Sequence, residues 1–246
     1  MLLAYLQSIF SFRAYHRMAL TSRKVCLVFV LFIFLLSLIV FYFFTGSYVR
    51  KNLPAFLKNF PQITFEKGVL TAPDKLVTAP LPGNDFFFAF EAKRATPPTF
   101  SEMAEKGWLM LVVGNTIYMP GSGTVQTQVV PEQLSFTTSP DFLTQHQSTL
   151  ASLLKVTAMA FALFFIPLTL AFDFCLACTI GMIFNLITHR AVSLGFITRW
   201  AIFLLGPLSL LWYVRLWWNI PLFTFAQVIL CIIYIQQIFN TLPEGK

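Results

Sequence analysis

The chain has 246 residues, 57% hydrophobic and only 11% charged, with a mean hydropathy of +0.73. An ordinary soluble domain carries roughly 25% charged residues, so the composition excludes one and points to several membrane-spanning segments. The net charge of +7 does not imply nucleic acid, because the excess is local. Between Thr45 and Leu150 eight basic residues are matched by eight acidic ones, and the surplus flanks the hydrophobic runs, where it sets topology.

Residues 1–24 place Leu2, Leu3, Leu6, Ile9 and Phe10 at near-helical spacing, followed by Arg13, His16, Arg17, Arg23 and Lys24. They read as a cytoplasmic, amphipathic and basic segment on an anionic membrane face, or else as a disordered leader. Residues 25–44 are free of charge and long enough to span. The run exceeds a signal-peptide core and no A-x-A site follows, so it is predicted to be an uncleaved first transmembrane helix, its basic flank held in the cytoplasm.

Residues 45–139 change character. Ten of the 14 prolines lie between Thr45 and Leu150, a density that argues against long helices and for short strands. Ile63–Ala72 alternates around Gly68. Phe86–Glu91 is an aromatic strand, and Trp108–Val113 and Thr116–Met119 flank a Gly114-Asn115 hairpin turn. Val125–Val130 adds a strand and Thr99–Lys106 one short helix. The sum is a small β-rich extracytoplasmic domain.

Ser139-Pro140-Asp141 has the order of a helix start: a capping serine, a first-position proline and an acid in the first turn. The helix is expected to run without a break through 140–188, as a stalk and second span with a kink at Pro167. The third span is 196–214, with Gly206-Pro207 inside it. A turn from Arg215 to Pro221 carries Trp217 and Trp218, and the fourth span is 222–239 before a polar tail. The fold class is therefore an α-helical polytopic membrane protein with four spans and a β-rich domain inserted between the first two, both termini being cytoplasmic.

This layout resembles a bacterial family of uncharacterised polytopic membrane proteins, some members of which are labelled maltodextrin-utilisation proteins. Three features carry the resemblance. They are Leu6-Gln-Ser-Ile-Phe-Ser-Phe-Arg-Ala-Tyr15 before the first span, Leu53-Pro-Ala-Phe with Ile63-Thr-Phe-Glu-Lys-Gly-Val-Leu70 opening the outer domain, and the multi-span C-terminal half. The resemblance implies an integral membrane location and assigns no binding residues; the location expected is the cytoplasmic (inner) membrane.

The residues themselves show no catalytic, cofactor or metal constellation. His16, His146 and His189 lie in three different regions, and no H-E-x-x-H, G-x-S-x-G or phosphate-loop pattern is present. Cys175-x-x-Cys178 reads as helix packing, and Gly121-Ser-Gly123 as a turn. The better lead is the set of polar residues in apolar segments: Asp173, Asn185, Arg199 and Gln227. A carboxylate in lipid must face water, a cation or protein. Asp173 is either solvated near the cytoplasmic interface, paired with a neighbouring helix, or part of an ion path. The specific expectation is an intramembrane ion pair between Asp173 and Arg199. The functional expectation is a non-enzymatic accessory, scaffold or sensor protein that uses no cofactor. Its partners are the bilayer and a membrane or extracytoplasmic protein, and not nucleic acid. The alternative is a small permease or transport-associated component, with sugar utilisation one possible setting.

Overall fold

The structure, a computed structural model, describes residues 1–81, 85–218 and 222–241. Its helices are α1 (Leu2–Phe10), α2 (Ala14–Ala19), α3 (Arg23–Lys58), α4 (Phe100–Glu105), α5 (Pro140–Gln145), α6 (Gln147–Thr188), α7 (Leu194–Trp217) and α8 (Leu222–Asn240). Its strands are β1 (Thr64–Glu66), β2 (Val69–Ala72), β3 (Val77–Pro80), β4 (Phe87–Phe90), β5 (Trp108–Val113), β6 (Thr116–Pro120), β7 (Val125–Val129) and β8 (Phe136–Thr137). The chain forms two compact units, Met1–Gly46 with Lys155–Lys246, and Ser47–Leu154.

In the first unit, α3, α6 and α7 are long and apolar enough to cross a membrane, which fits a multi-pass membrane protein. The described apolar stretch of α8, Phe225–Asn240, is shorter. The core gathers on α7, where Trp200, Phe203, Leu204, Leu205 and Leu208 are buried. Toward it α6 turns Ala162, Ile166, Leu170, Asp173, Ala177 and Ile180. Their spacing of three and four residues makes one helical stripe. The opposite faces of α3 and α6 expose Leu27, Leu31, Leu35, Phe164, Phe165 and Leu168. Contiguous apolar surface of that extent requires an apolar surround.

The α1–α2 segment is part of this core. Tyr5 meets Ser209, Ser8 lies against Gly206, Trp200 Nε1 donates to the Tyr15 carbonyl at 3.1 Å, and Arg199 Nη1 donates to the Ala19 carbonyl at 2.6 Å. The α7 partner number falls as the α1–α2 number rises, so the segment runs antiparallel to α7. Gly206 stands at the middle of α7, so α1 does not lie across the end of the bundle as an interfacial helix would. Its buried face holds Tyr5 and Ser8, while Leu2, Leu3, Leu6 and Phe10 remain exposed.

The second unit holds two sheets. One is antiparallel, in the order β2-β1-β8; the other runs β3-β4-β5-β6-β7, with β4 and β5 parallel. A parallel pair needs a crossover, and α4 lies in that connection. The expected hairpin forms with Val113 opposite Thr116. The β1–β2 turn uses Lys67 and Gly68 at φ 49° and 77°. A Cβ on Gly68 would lie 2.6 Å from the Pro131 carbonyl oxygen, so the site also requires glycine on space. The larger sheet buries both faces. Phe90 and Val112 join Ile63, Phe65 and Leu70 on one side, while Ala89, Trp108 and Leu111 pack with Met103 of α4 on the other.

Two boundaries differ from expectation. Residues 45–58, expected in the β-rich domain, continue α3 as helix through Pro54. Val49, Leu53 and Leu57, each one turn apart, pack on Leu143, Leu150 and Ala151, and that burial outweighs the hydrogen bond Pro54 cannot make. The Ser139 cap is present, with its side chain accepting from the Phe142 N–H at 3.1 Å. The helix it opens ends at Gln145, and a one-residue turn at His146 separates it from α6. Residues 219–221 of the expected turn and 242–246 of the expected tail lie outside the described residues.

Candidate functional site

Asp173 is the one charged residue on the inward stripe of α6. It is 3% exposed, and no hydrogen bond or ion pair to it is present among the described residues. It lines a small cavity with Ser37 of α3, Thr169 and Leu170 of α6, and Ser209 and Trp212 of α7. Two hydroxyl pairs border this cavity: Ser37 Oγ with Tyr213 Oη at 3.0 Å, and Ser209 Oγ with Tyr5 Oη at 3.4 Å. Four helices thus contribute to one buried polar cluster. Ser209 and Thr169 also donate to the carbonyls of Gly206 and Phe165, at 2.7 and 2.9 Å. Their protons are committed to backbone and their lone pairs remain.

The expected Asp173–Arg199 pair is not formed. Asp173 lies fifteen residues before the end of α6, about 22 Å from the α6–α7 loop, whereas Arg199 lies five residues into α7, about 8 Å from it. A separation of some 15 Å in depth exceeds the reach of an arginine side chain. Arg199 serves the α2 carboxyl end instead, a favourable place for a cation. Measured from that loop, Ser209 is as deep as Asp173. The sequence reasoning missed Tyr5, Ser37, Ser209 and Tyr213. The readable signal was the α6 stripe, which fixes the direction of Asp173, and the matching loop distance, which picks Ser209. Asn185 clamps the loop, donating to the Val192 carbonyl at 3.0 Å and accepting its N–H at 2.9 Å. Gln227 is half-buried on α8.

In the β unit the charged centre is Glu102. It accepts from Arg94 at 2.6 Å and Lys106 at 2.8 Å, and both cations lie over the Trp108 ring, at 5.7 and 4.5 Å from its centroid. The hydrogen bond from Arg94, then that from Lys106, lowers the Glu102 carboxyl from 4.5 to about 2. This network ties the crossover to β5. At the far side of the sheet, among the described residues, β7 pairs only with β6. Its residues Gln126, Thr127, Gln128 and Val129 are exposed and uncharged.

Among the described residues the four cysteines are free thiols, and no group of three or more His, Cys, Asp or Glu side chains is arranged to hold a metal. His16 lies near Phe196, His146 ends α5, and His189 sits in the α6–α7 loop. The chain matches no curated protein and no solved structure. A family model does match it over residues 4–239, from α1 through α8 and across both units. The chain therefore belongs to the family described as protein of unknown function (DUF1189).

Proposed function

We propose that this is a non-enzymatic accessory or scaffold protein of the bacterial cytoplasmic membrane, crossing it four times through α3, α6, α7 and α8, with the β unit on the extracytoplasmic side. The observation that carries the reading is the open edge of β7. Natural proteins blunt sheet edges with lysine, proline or a bulge, and β7 reads Val-Gln-Thr-Gln-Val with one side unpaired among the described residues. Such an edge accepts an added strand, whose main chain supplies affinity and whose alternate side chains supply specificity. The occupant is an extended segment of a partner protein.

The test uses the full-length chain in intact cells. A photocrosslinker at Gln126 should capture one discrete protein, and Thr127→Lys or Val129→Lys should abolish the capture at unchanged protein level. A crosslinking pattern that these variants leave intact would refute edge docking. The second reading, a small permease or transport-associated component, is favoured by the buried cluster at Asp173. The family description adds nothing that favours a sugar substrate.

A further inference from the structure

Independently of the docking reading, we propose that the cavity at Asp173 is an exchangeable binding site for a small monovalent cation, a proton or sodium, inside the helical unit. The argument is one of unmatched charge. From α1 the titratable group facing the cluster is Tyr5, from α7 it is Tyr213, and from α8 it is Cys231; α3 contributes Ser37, which does not titrate. Phenols and thiols are neutral near pH 7. No Lys, Arg or His is paired with Asp173 among the described residues. A carboxylate buried to 3% exposure without a counter-charge is strongly disfavoured.

The walls supply the complementary chemistry. Ser209 and Thr169 have given their protons to backbone carbonyls, so each presents oxygen lone pairs. Ser37 and Tyr213 share a hydrogen bond and retain acceptor capacity. Within walls otherwise made of Ile166, Leu170 and Trp212, three hydroxyls and one acid form the polar side of the cavity, and that side calls for a donor or a cation. Its free volume is about 10 Å³, the size of a single water or one dehydrated ion. Leu170 is a wall shared with a groove of about 610 Å³ lined by apolar residues of α3, α6 and α7, which brings an apolar reagent within one side chain of the cavity.

Dicyclohexylcarbodiimide, an apolar reagent that adds to protonated carboxyls, tests this on the full-length protein in detergent and in liposomes. Peptide mass spectrometry should find the adduct on Asp173, and Asp173→Asn, which keeps the shape of the neutral acid, should remove it while the protein stays folded. Above the carboxyl midpoint, labelling should fall about tenfold per pH unit. If sodium chloride at fixed pH protects Asp173 and potassium chloride does not, the cation is sodium; if neither protects, it is the proton. Ser209→Ala should move the midpoint or weaken sodium protection. The proposal is overturned if Asp173 takes no label between pH 5 and pH 9, or if its labelling ignores pH, sodium and Ser209→Ala alike.

Discussion

Glu102 shows how a partly exposed acid can matter at the scale of one residue. It holds two cations that both cover Trp108, so its charge orders the crossover between two parallel strands. Its folded-state carboxyl titrates at about 2 rather than 4.5. The stability it contributes is complete above the unfolded value and is lost as pH falls from 4.5 through 2. Because the group is partly solvated, its share is about 1 kcal/mol. Glu102→Gln should therefore loosen α4 and β5 at pH 7, and the difference from the parent should shrink to a small part of that by pH 2. Hydrogen exchange of residues 94–113 in both proteins, compared at each pH, reads this directly. A gap as large at pH 2 as at pH 7 would assign the loss to packing. Asp173 teaches a different lesson at this scale. Its distance from the α6–α7 loop is plain in the sequence. Its depth measured inward from Lys155 depends on helix tilt and on how much of the helix stands outside the lipid. Counting from a short shared loop removes both unknowns and separates Asp173 from Arg199.

At the scale of elements, what was legible followed strong local signals. The Gly114 hairpin, the short helix after Thr99, the Ser139 cap and the starts of α3, α7 and α8 all appear within a few residues of their expected places. Two assignments failed because a tertiary contact decided them. Pro54 argued against helix, and the Val49-Leu53-Leu57 stripe outweighed it through its partners on α5 and α6. For α1, hydrophobicity and neighbouring basic residues describe an interfacial helix and a buried one equally well. The deciding residues are small: Ser8 is fully buried, and it faces Gly206. A Cβ on Gly206 would overlap the Ser8 hydroxyl, so the two helices approach closely only because glycine is there. Gly206→Val should push α1 off α7 and cost about 1–3 kcal/mol. Ser8→Gly in the same chain should recover part of it. Limited proteolysis of the detergent-solubilised protein, scored by release of residues 1–20, and its thermal midpoint give the two readouts. If Gly206→Val leaves both unchanged, the register of α1 on α7 is wrong.

For the whole molecule, the side on which the chain ends separates three crossings from four. Within the helical unit one end gathers charge. Arg199 meets the carboxyl end of α2, Arg190 donates to the Phe239 carbonyl near the end of α8, and Arg23 and Lys24 open α3 beside them in sequence. The other end is aromatic, where Phe44 of α3 meets Trp217 of α7 at 5.7 Å. A basic end and an aromatic end are what the positive-inside rule and the interfacial belt describe. The last turn of α8 belongs to the basic end, since Phe239 packs on Trp200 at 5.7 Å and on Phe184 at 6.1 Å, both near the α6–α7 loop. A helix of the length of α8 rises about 28 Å, close to the thickness of a hydrocarbon core. On the proposed four-span reading it makes the fourth crossing and returns the chain to the cytoplasmic side. A reporter active only in the cytoplasm should give signal when fused after Lys246 and none when inserted after Gly121. Signal at neither position would mean that α8 does not cross, and signal at Gly121 alone would invert the molecule.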